Sequence, residues 1–171
     1  STHCISSAAS DVYKRQPWHY PAIAPMIKKW WKLRYTLIPY IVEQSRKAIA
    51  SGAPLLQALI FHHPEDKLCW HIDDEYYFGN DFLVAPVMNS ENRRDVYLPE
   101  GKWVNFFTGE RLEGGRWLKN LDIPLDEMPV YVRQGATIPV YPDEVECTDD
   151  MDLSKSIGLH IDPHFKGIFK N

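Results

Sequence analysis

Residues 55–61 read Leu-Leu-Gln-Ala-Leu-Ile-Phe, a short segment that is apolar at every position except Gln57. Such a run is typical of a β-strand that is buried on both faces in a parallel sheet. One fold with such strands is the (β/α)8 barrel, in which the active site lies at the carboxyl ends of the strands. In that fold, we expect Phe61, His62 and His63 to lie near the catalytic rim.

A helical pattern precedes this segment. From Pro25 to Ile49, mainly apolar residues recur at three- and four-residue steps, which predicts one long amphipathic helix. Pro39 lies inside the pattern and predicts a kink or a tightened turn near Tyr35–Pro39, because proline lacks the backbone donor. Gly52 predicts the end of the helix. A helix followed by a buried strand is the element order of a (β/α)8 barrel.

The pattern changes after Pro64. Residues 73–78 predict a short helix, and several short strands follow at close intervals with Gly- or Pro-containing turns between them. The predicted strands cover residues 82–88, 93–99, 102–107, 116–120, 129–133 and 136–141. Many short strands with regular turns favour an antiparallel β-sandwich.

Composition restricts the function classes. The chain has 171 residues and a net charge of −4 without long runs of one sign, so no nucleic acid or membrane partner is indicated. Cys4, Cys69 and Cys147 lie far apart and are interpreted as free thiols, with no metal site. We expect a cytoplasmic protein by default, since no apolar run reaches about 20 residues and no secretory signal pattern is present.

The first sixteen residues differ from the rest. Residues 1–16 are small and polar without periodicity, and residues 11–16 (DVYKRQ) resemble the translation of a sequencing adapter. We therefore interpret residues 1–16 as a non-native leader and exclude them from the fold prediction. A natural tail is the alternative interpretation.

Six sequence blocks resemble the C-terminal part of glycoside hydrolase family 31, in the order found in that family. They are PWHYP (17–21), LRYTLIPYI (33–41), GAPLLQALIFHHPED (52–66), DDEYYFGNDFLVAPV (73–87), VYLPEGKWVNFFTGE (96–110) and IPLDEMPVYVRQGATIP (123–139). The resemblance implies an α/β plus all-β fragment. Residues 17–79 would be the end of the catalytic (β/α)8 barrel with a bridging segment. Residues 80–141 would be the proximal C-terminal β-sandwich domain, and residues 142–171 the start of a truncated distal β domain.

The resemblance also implies an activity. The family contains retaining α-glycosidases acting on α-glucosides or α-xylosides, whose two catalytic aspartates lie on earlier barrel strands. This chain would therefore contain no catalytic residue, bind carbohydrate only through the rest of the barrel, need no cofactor and be inactive alone. Substrate-binding residues stay unassigned, and a homo-oligomer of the full enzyme is left open. The alternative is a non-catalytic carbohydrate-binding β-sandwich module.

One position departs from the family pattern. Many members carry Arg where this sequence has Gln57, and a buried Arg needs a carboxylate partner. With Gln57 in place of Arg, the substrate preference of this protein could differ from that of the commonest family members. A simpler interpretation is that Gln57 binds a local backbone group and alters nothing catalytic.

Two polar clusters are candidate sites. Asp73, Asp74 and Glu75 could be catalytic acids, but first-turn acids that favour the predicted helix are the preferred interpretation. A zinc site at His62, His63, His71 and Asp73 is disfavoured, because neighbouring residues on a strand face opposite sides.

Two further groups have simple interpretations. Tyr97, Trp103 and Trp117 could form a sugar platform, although strand alternation favours core positions for them. Asp149 and Asp150 are interpreted as part of a solvated acidic loop.

Overall fold

A computed structural model of the protein describes residues 21–145 and 147–168. The predictions for the leader, for Cys4 and for most of the PWHYP block therefore lie outside the described residues. No helix in the described part of the chain is long and apolar enough to cross a membrane.

Two consecutive helices replace the single kinked helix. Helix α1 spans Ala24–Thr36 and helix α2 spans Ile38–Ser51, with Leu37 between them. Pro39 lies in the first turn of α2, where its missing N–H has no intrahelical partner to lose, so it starts a helix instead of kinking one. The predicted interruption in this region is thus confirmed. Gly52 ends α2 with φ 75°, as predicted.

Ten short strands are described after α2. They are β1 (Leu56–Ala58), β2 (Tyr76–Phe78), β3 (Phe82–Val84), β4 (Arg93–Leu98), β5 (Lys102–Asn105), β6 (Arg111–Glu113), β7 (Arg116–Asp122), β8 (Val130–Arg133), β9 (Thr137–Val140) and β10 (Ile157–His160). Short 3₁₀ turns lie at Leu59–Phe61, Lys67–Trp70, Thr148–Asp150 and Leu153–Lys155.

The strands form three antiparallel sheets. A six-stranded sheet has the order β1-β2-β3-β8-β5-β6, and two ribbons pair β4 with β7 and β9 with β10. Every pairing is antiparallel. Small antiparallel sheets with two helices agree with the β part of the predicted fold, whereas a barrel is not seen in the described residues.

The prediction for residues 55–61 is wrong in four respects. The strand covers only Leu56–Ala58, it pairs antiparallel with β2, and a 3₁₀ turn occupies Leu59–Phe61. Leu56 is also 56% exposed rather than buried. A parallel strand needs a parallel neighbour, and the described residues supply only the antiparallel strand β2.

The predicted helix at residues 73–78 is also wrong. Tyr76, Tyr77 and Phe78 form strand β2, which lies between β1 and β3. Three consecutive aromatic residues favour a strand, because their rings pack well on a pleated surface. Tyr77 is fully buried, whereas Tyr76 and Phe78 are half-buried on the opposite face.

Two hydrophobic clusters lie on opposite faces of the six-stranded sheet. The first joins residues of both helices to the sheet and includes Leu33, Leu37, Tyr40, Phe82, Val104, Phe106, Val132, Ile138 and Ile161. The second lies between the sheet and the β4–β7 ribbon and includes Leu59, Cys69, Tyr77, Leu83, Val96, Leu98, Trp103 and Tyr131. Residues that alternate along one strand, such as Phe82 and Leu83, enter different clusters.

The C-terminal segment packs on the first cluster. Strand β10 pairs with β9, and Ile161, which follows it, is fully buried. Phe165 and Ile168 also contact this cluster. The domain boundary placed after Tyr141 stays a prediction.

Candidate functional site

The Tyr77 cluster is the main polar cluster near the predicted catalytic rim. His62 and His63 follow β1 and the 3₁₀ turn, Tyr77 is the middle residue of β2, and Arg133 ends β8. His63 Nε2 lies 2.7 Å from the Tyr77 hydroxyl oxygen, to which Arg133 Nη2 also donates at 3.3 Å. One phenol thus joins the turn after β1 to a central strand of the β domain.

Ring contacts complete the Tyr77 cluster. The His62 ring lies on the Tyr77 ring with 4.1 Å between centroids. The Arg133 guanidinium carbon lies 5.4 Å from the Tyr77 ring centroid and 5.5 Å from that of Trp103. These separations allow cation–π attraction, so the guanidinium is held by both hydrogen bonding and ring contact.

Electrostatics keeps both imidazoles neutral. Burial, followed by the charge of Arg133 and the neighbouring His63, lowers the pKa of His62 to about 4. Burial and Arg133 also lower the pKa of His63, although Asp66 opposes this effect. Near pH 7 the two histidines therefore act as neutral hydrogen-bonding and stacking groups. Since neither imidazole carries a proton that it could readily give up, we do not expect proton transfer between the two rings.

A second contact fixes the loop after the histidines. The Tyr97 hydroxyl donates to Asp66 Oδ2 at 2.5 Å, and Asp66 Oδ1 accepts from the Leu68 amide at 3.0 Å. Burial acts to raise the pKa of Asp66, but these hydrogen bonds together lower it. Burial and the nearby Asp66 carboxylate raise the pKa of Cys69 to about 12, so its thiol is un-ionised and unreactive near pH 7.

The residues considered for zinc are not brought together. His71 and Asp73 are exposed, whereas His62 and His63 contact Tyr77. Within residues 21–145 and 147–168, no group of three or more His, Cys, Asp or Glu side chains could hold a metal ion. Cys69 and Cys147 are free thiols, as predicted.

The acidic cluster at residues 73–75 needs a correction. Since no helix forms there, the helix-favouring role of these acids is wrong. Asp73 and Asp74 are exposed, and Glu75 is buried with its Oε1 3.3 Å from Arg94 Nη2. The arrangement holds β4 to the segment before β2 and does not point two carboxylates at one open position.

The aromatic residues considered as a platform divide between core and surface. Trp103 and Tyr97 are 1% and 4% exposed, which confirms the core interpretation for them. Trp117 is 36% exposed, contacts Tyr97 with 5.2 Å between ring centroids, and has Lys119 Nζ 4.5 Å from its own ring. A single partly exposed ring covered by a lysine offers little surface for stacking a sugar.

Two remaining positions have local roles. Gln57 Nε2 donates to the carbonyl of Pro54 at 2.7 Å, which is the local backbone contact that the sequence suggested as the simpler interpretation. Asp149 is exposed and lies with Asp150 in a 3₁₀ turn, in agreement with a solvated loop.

An apolar cleft of about 270 Å³ lies between the helices and the six-stranded sheet. Its lining is aromatic or aliphatic apart from Arg34 and includes Trp30, Phe78, Phe106 and Met128. Sugar sites need several well-placed polar groups, which this cleft lacks. The cleft is therefore part of the packing between helices and sheet and is not a candidate sugar site.

Sequence reasoning missed most of the residues that organise these sites. Tyr77, Arg133 and Arg94 were not singled out, because their importance depends on partners 14 to 56 residues away. The alternation within Tyr-Tyr-Phe was the available signal for Tyr77, since a strand interpretation buries the middle residue.

The fold is thus an antiparallel β domain with two helices on one face, and comparison with known proteins identifies its family. Residues 52–138 match the C-terminal domain of glycosyl hydrolase family 31, which is about half of the chain. This chain belongs to glycosyl hydrolase family 31.

Known relatives agree with this assignment. The chain is 35% identical over 138 residues to alpha-glucosidase 2 of Bacillus thermoamyloliquefaciens, covering 80% of this chain and 17% of that protein. It is 32% identical over 175 residues to an alpha-xylosidase of Saccharolobus solfataricus, covering 99% of this chain and 23% of that protein. The chain therefore spans about a fifth of the length of these relatives.

Solved structures give the same result. The GH31 dextranase of Flavobacterium johnsoniae superposes with a TM-score of 0.70 at 34% identity, covering 74% of this chain and 16% of the dextranase. At this identity, the likeness supports both fold and family.

Proposed function

We propose that this chain is the C-terminal portion of a retaining α-glycosidase that hydrolyses α-glucosides or α-xylosides. The match of residues 52–138 to the family 31 C-terminal domain carries the proposal. The names of the two relatives, an alpha-glucosidase and an alpha-xylosidase, support the substrate classes.

Under this proposal, the chemistry takes place in another part of the enzyme. Retaining hydrolysis needs two carboxyl groups about 5 Å apart, one as nucleophile and one as acid/base. Both aspartates would lie on barrel strands that precede this chain. Asp66 is hydrogen-bonded to Tyr97 and Glu75 to Arg94, so neither carboxyl group is free for this chemistry.

The chain's own contribution would be to hold the end of the barrel against the β domain. Residues 17–79 would close the barrel and bridge to the domain at residues 80–141. Three contacts support this role. The Asp81 amide donates to the Tyr40 hydroxyl on α2 at 3.2 Å, the Tyr141 amide donates to the Thr36 carbonyl at 2.8 Å, and Tyr77 joins the turn after β1 to β8.

Assays of the whole enzyme and of the 171-residue chain test the proposal. We expect the whole enzyme to hydrolyse an aryl α-glucoside or aryl α-xyloside, and proton NMR to show the α-anomer as the first sugar released. The chain alone should release no aryl alcohol. A first-formed β-anomer, or hydrolysis by the isolated chain, would contradict it.

A variant tests the supporting role. Tyr77→Phe removes the hydroxyl that His63 and Arg133 share, and should lower both the melting temperature and kcat of the whole enzyme. Tyr35→Phe is a matched control, because Tyr35 is half-buried on α1 and has no side-chain hydrogen bond to another described residue. Equal effects of the two substitutions would argue against a role for Tyr77 in positioning the rim.

A further inference from the structure

Glu75 is an acid that is fully enclosed by protein. Its side chain is 0% exposed, and that of its partner Arg94 is 6% exposed. Glu75 Oε1 accepts from the Tyr97 amide at 2.8 Å and from Arg94 Nη2 at 3.3 Å. No hydrogen-bond donor in the described part of the chain reaches Oε2. A carboxylate in this position loses its hydration, and hydrogen bonds from the protein replace only part of the lost interaction with water.

Arg94 divides its donors among several groups. Its Nη2 lies 3.1 Å from Asp74 Oδ2, and Asp74 is 54% exposed. Its Nη1 donates to the carbonyls of Asp74 and Pro86, and its Nε donates to the carbonyl of Asp95 at 3.0 Å. Arg94 therefore keeps most of its partners, including one carboxylate, when Glu75 is neutral. The ionised form of Glu75 would share the positive charge of Arg94 with Asp74.

The other groups facing Glu75 add no positive charge. They are the Asp74 carboxylate, the Cys69 thiol and the phenols of Tyr77 and Tyr131. The thiol and phenols are neutral near pH 7, because burial raises the pKa of each, to about 12 for Cys69 and Tyr131. Burial raises the pKa of Glu75 to about 7, and the Tyr97 amide and Arg94 only partly oppose this.

We propose that Glu75, Arg94 and Asp74 form a proton-controlled clasp between the segment before β2 and strand β4. The clasp is closed when Glu75 holds a proton. When Glu75 releases this proton to solvent, the buried charge gains free energy by becoming hydrated, and hydration requires β4 to separate locally from residue 75. Arg94 remains paired with Asp74 throughout.

The sign of the effect follows from proton linkage. The folded state holds the Glu75 proton more tightly than the unfolded chain, in which the pKa is near 4.5. The stabilising effect of protonation is therefore fully present below pH 4.5 and is lost as pH rises through about 7. The local opening equilibrium should increase over this interval by up to about 300-fold, which corresponds to the displacement of the pKa. This inference concerns a junction within the chain and does not depend on the proposed hydrolase activity.

The test uses the 171-residue chain labelled with ¹³C at the glutamate carboxyl carbons. We expect the Glu75 carbon to titrate with a midpoint near 7. Hydrogen exchange of the Tyr97 amide, corrected for the intrinsic effect of pH, should show protection that falls as pH rises from 5 to 9. A Glu75 midpoint between 4 and 5, or protection that does not change with pH, would overturn the clasp.

Variants identify the groups involved. Glu75→Gln should abolish the pH dependence of Tyr97 protection, whereas Glu113→Gln on the exposed part of β6 should leave it unchanged. Asp74→Asn should lower the Glu75 midpoint, because it removes a negative neighbour and a competitor for Arg94. If Glu75→Gln does not fold, the titration of the wild-type chain and the change in the Glu75 midpoint in Asp74→Asn still test the clasp. An unchanged midpoint in Asp74→Asn would refute the sharing of Arg94.

Discussion

Replacing Gly79 by alanine is expected to destabilise the protein for two separable reasons. Gly79 follows β2 with φ 65°, a left-handed conformation that costs an alanine about 1–2 kcal/mol. A Cβ at this position would also collide with the Tyr40 hydroxyl and lie 2.7 Å from Gln44 Cγ. Tyr40 and Gln44 are buried, so neither side chain can move freely away.

The expected magnitude follows from these two effects. Overpacking in a well-packed region costs about 1–3 kcal/mol. Together with the backbone cost, Gly79→Ala should lower the free energy of unfolding by about 2–5 kcal/mol. Gly115→Ala is the matched control, because Gly115 has φ 70° but no atom within 4 Å of the position of a Cβ. Its cost should be the backbone part alone.

Urea unfolding of the 171-residue chain measures both effects. The midpoint should fall further for Gly79→Ala than for Gly115→Ala, with similar slopes. In a Tyr40→Phe background, Gly79→Ala should cost less, because one of the two close contacts is removed. The reasoning would be refuted if both glycine variants had the same cost, or if the double variant showed no coupling beyond about 0.5 kcal/mol.

Three further predictions concern individual contacts. Tyr97→Phe should cost about 1–2 kcal/mol in urea unfolding, because Asp66 loses a charge-assisted hydrogen bond; an unchanged midpoint would contradict this. The His62 ring should remain neutral between pH 8 and 5 by NMR, and its contribution to stability should be present above pH 6.5 and lost as pH falls towards about 4. A His62 midpoint near 6.5 would show that burial does not control its pKa. Lys32→Ala should change stability by less than about 1 kcal/mol, since both Lys32 and its partner Glu144 are solvent-exposed; a larger loss would indicate a stronger ion pair than exposure allows.

Local chemistry allowed several features to be predicted from the sequence. Gly52 predicted the end of a helix and Pro39 an interruption, because their backbone restrictions act whatever surrounds them. Most strands after residue 80 were located for a similar reason, since short apolar segments between turn residues have few alternatives. The weak strand β6, which contains Arg111 and Glu113, was missed because its side chains are mostly polar and its partner β5 determines it.

The errors arose where a partner distant in the sequence decides the structure. Residues 55–61 had the pattern of a doubly buried parallel strand, but the strand pairs antiparallel with β2 and Leu56 is exposed. Residues 73–78 had acids suited to the start of a helix, yet the position of Tyr77 between β1 and β3 requires a strand. Hydrogen bonding across a sheet depends on the neighbouring strand, and a single segment carries no information about it.

The family, the antiparallel β character and the end of α2 at Gly52 follow from the sequence alone, because they depend on local backbone preferences and on blocks of residues in a fixed order. Which polar residues meet depends on the three-dimensional fold. Tyr77 became a shared hydrogen-bonding centre, and Glu75 a buried acid beside Arg94, through contacts between residues far apart in the chain. Burial then set the protonation of these groups, since the free energy of a charge depends on everything that replaces its water.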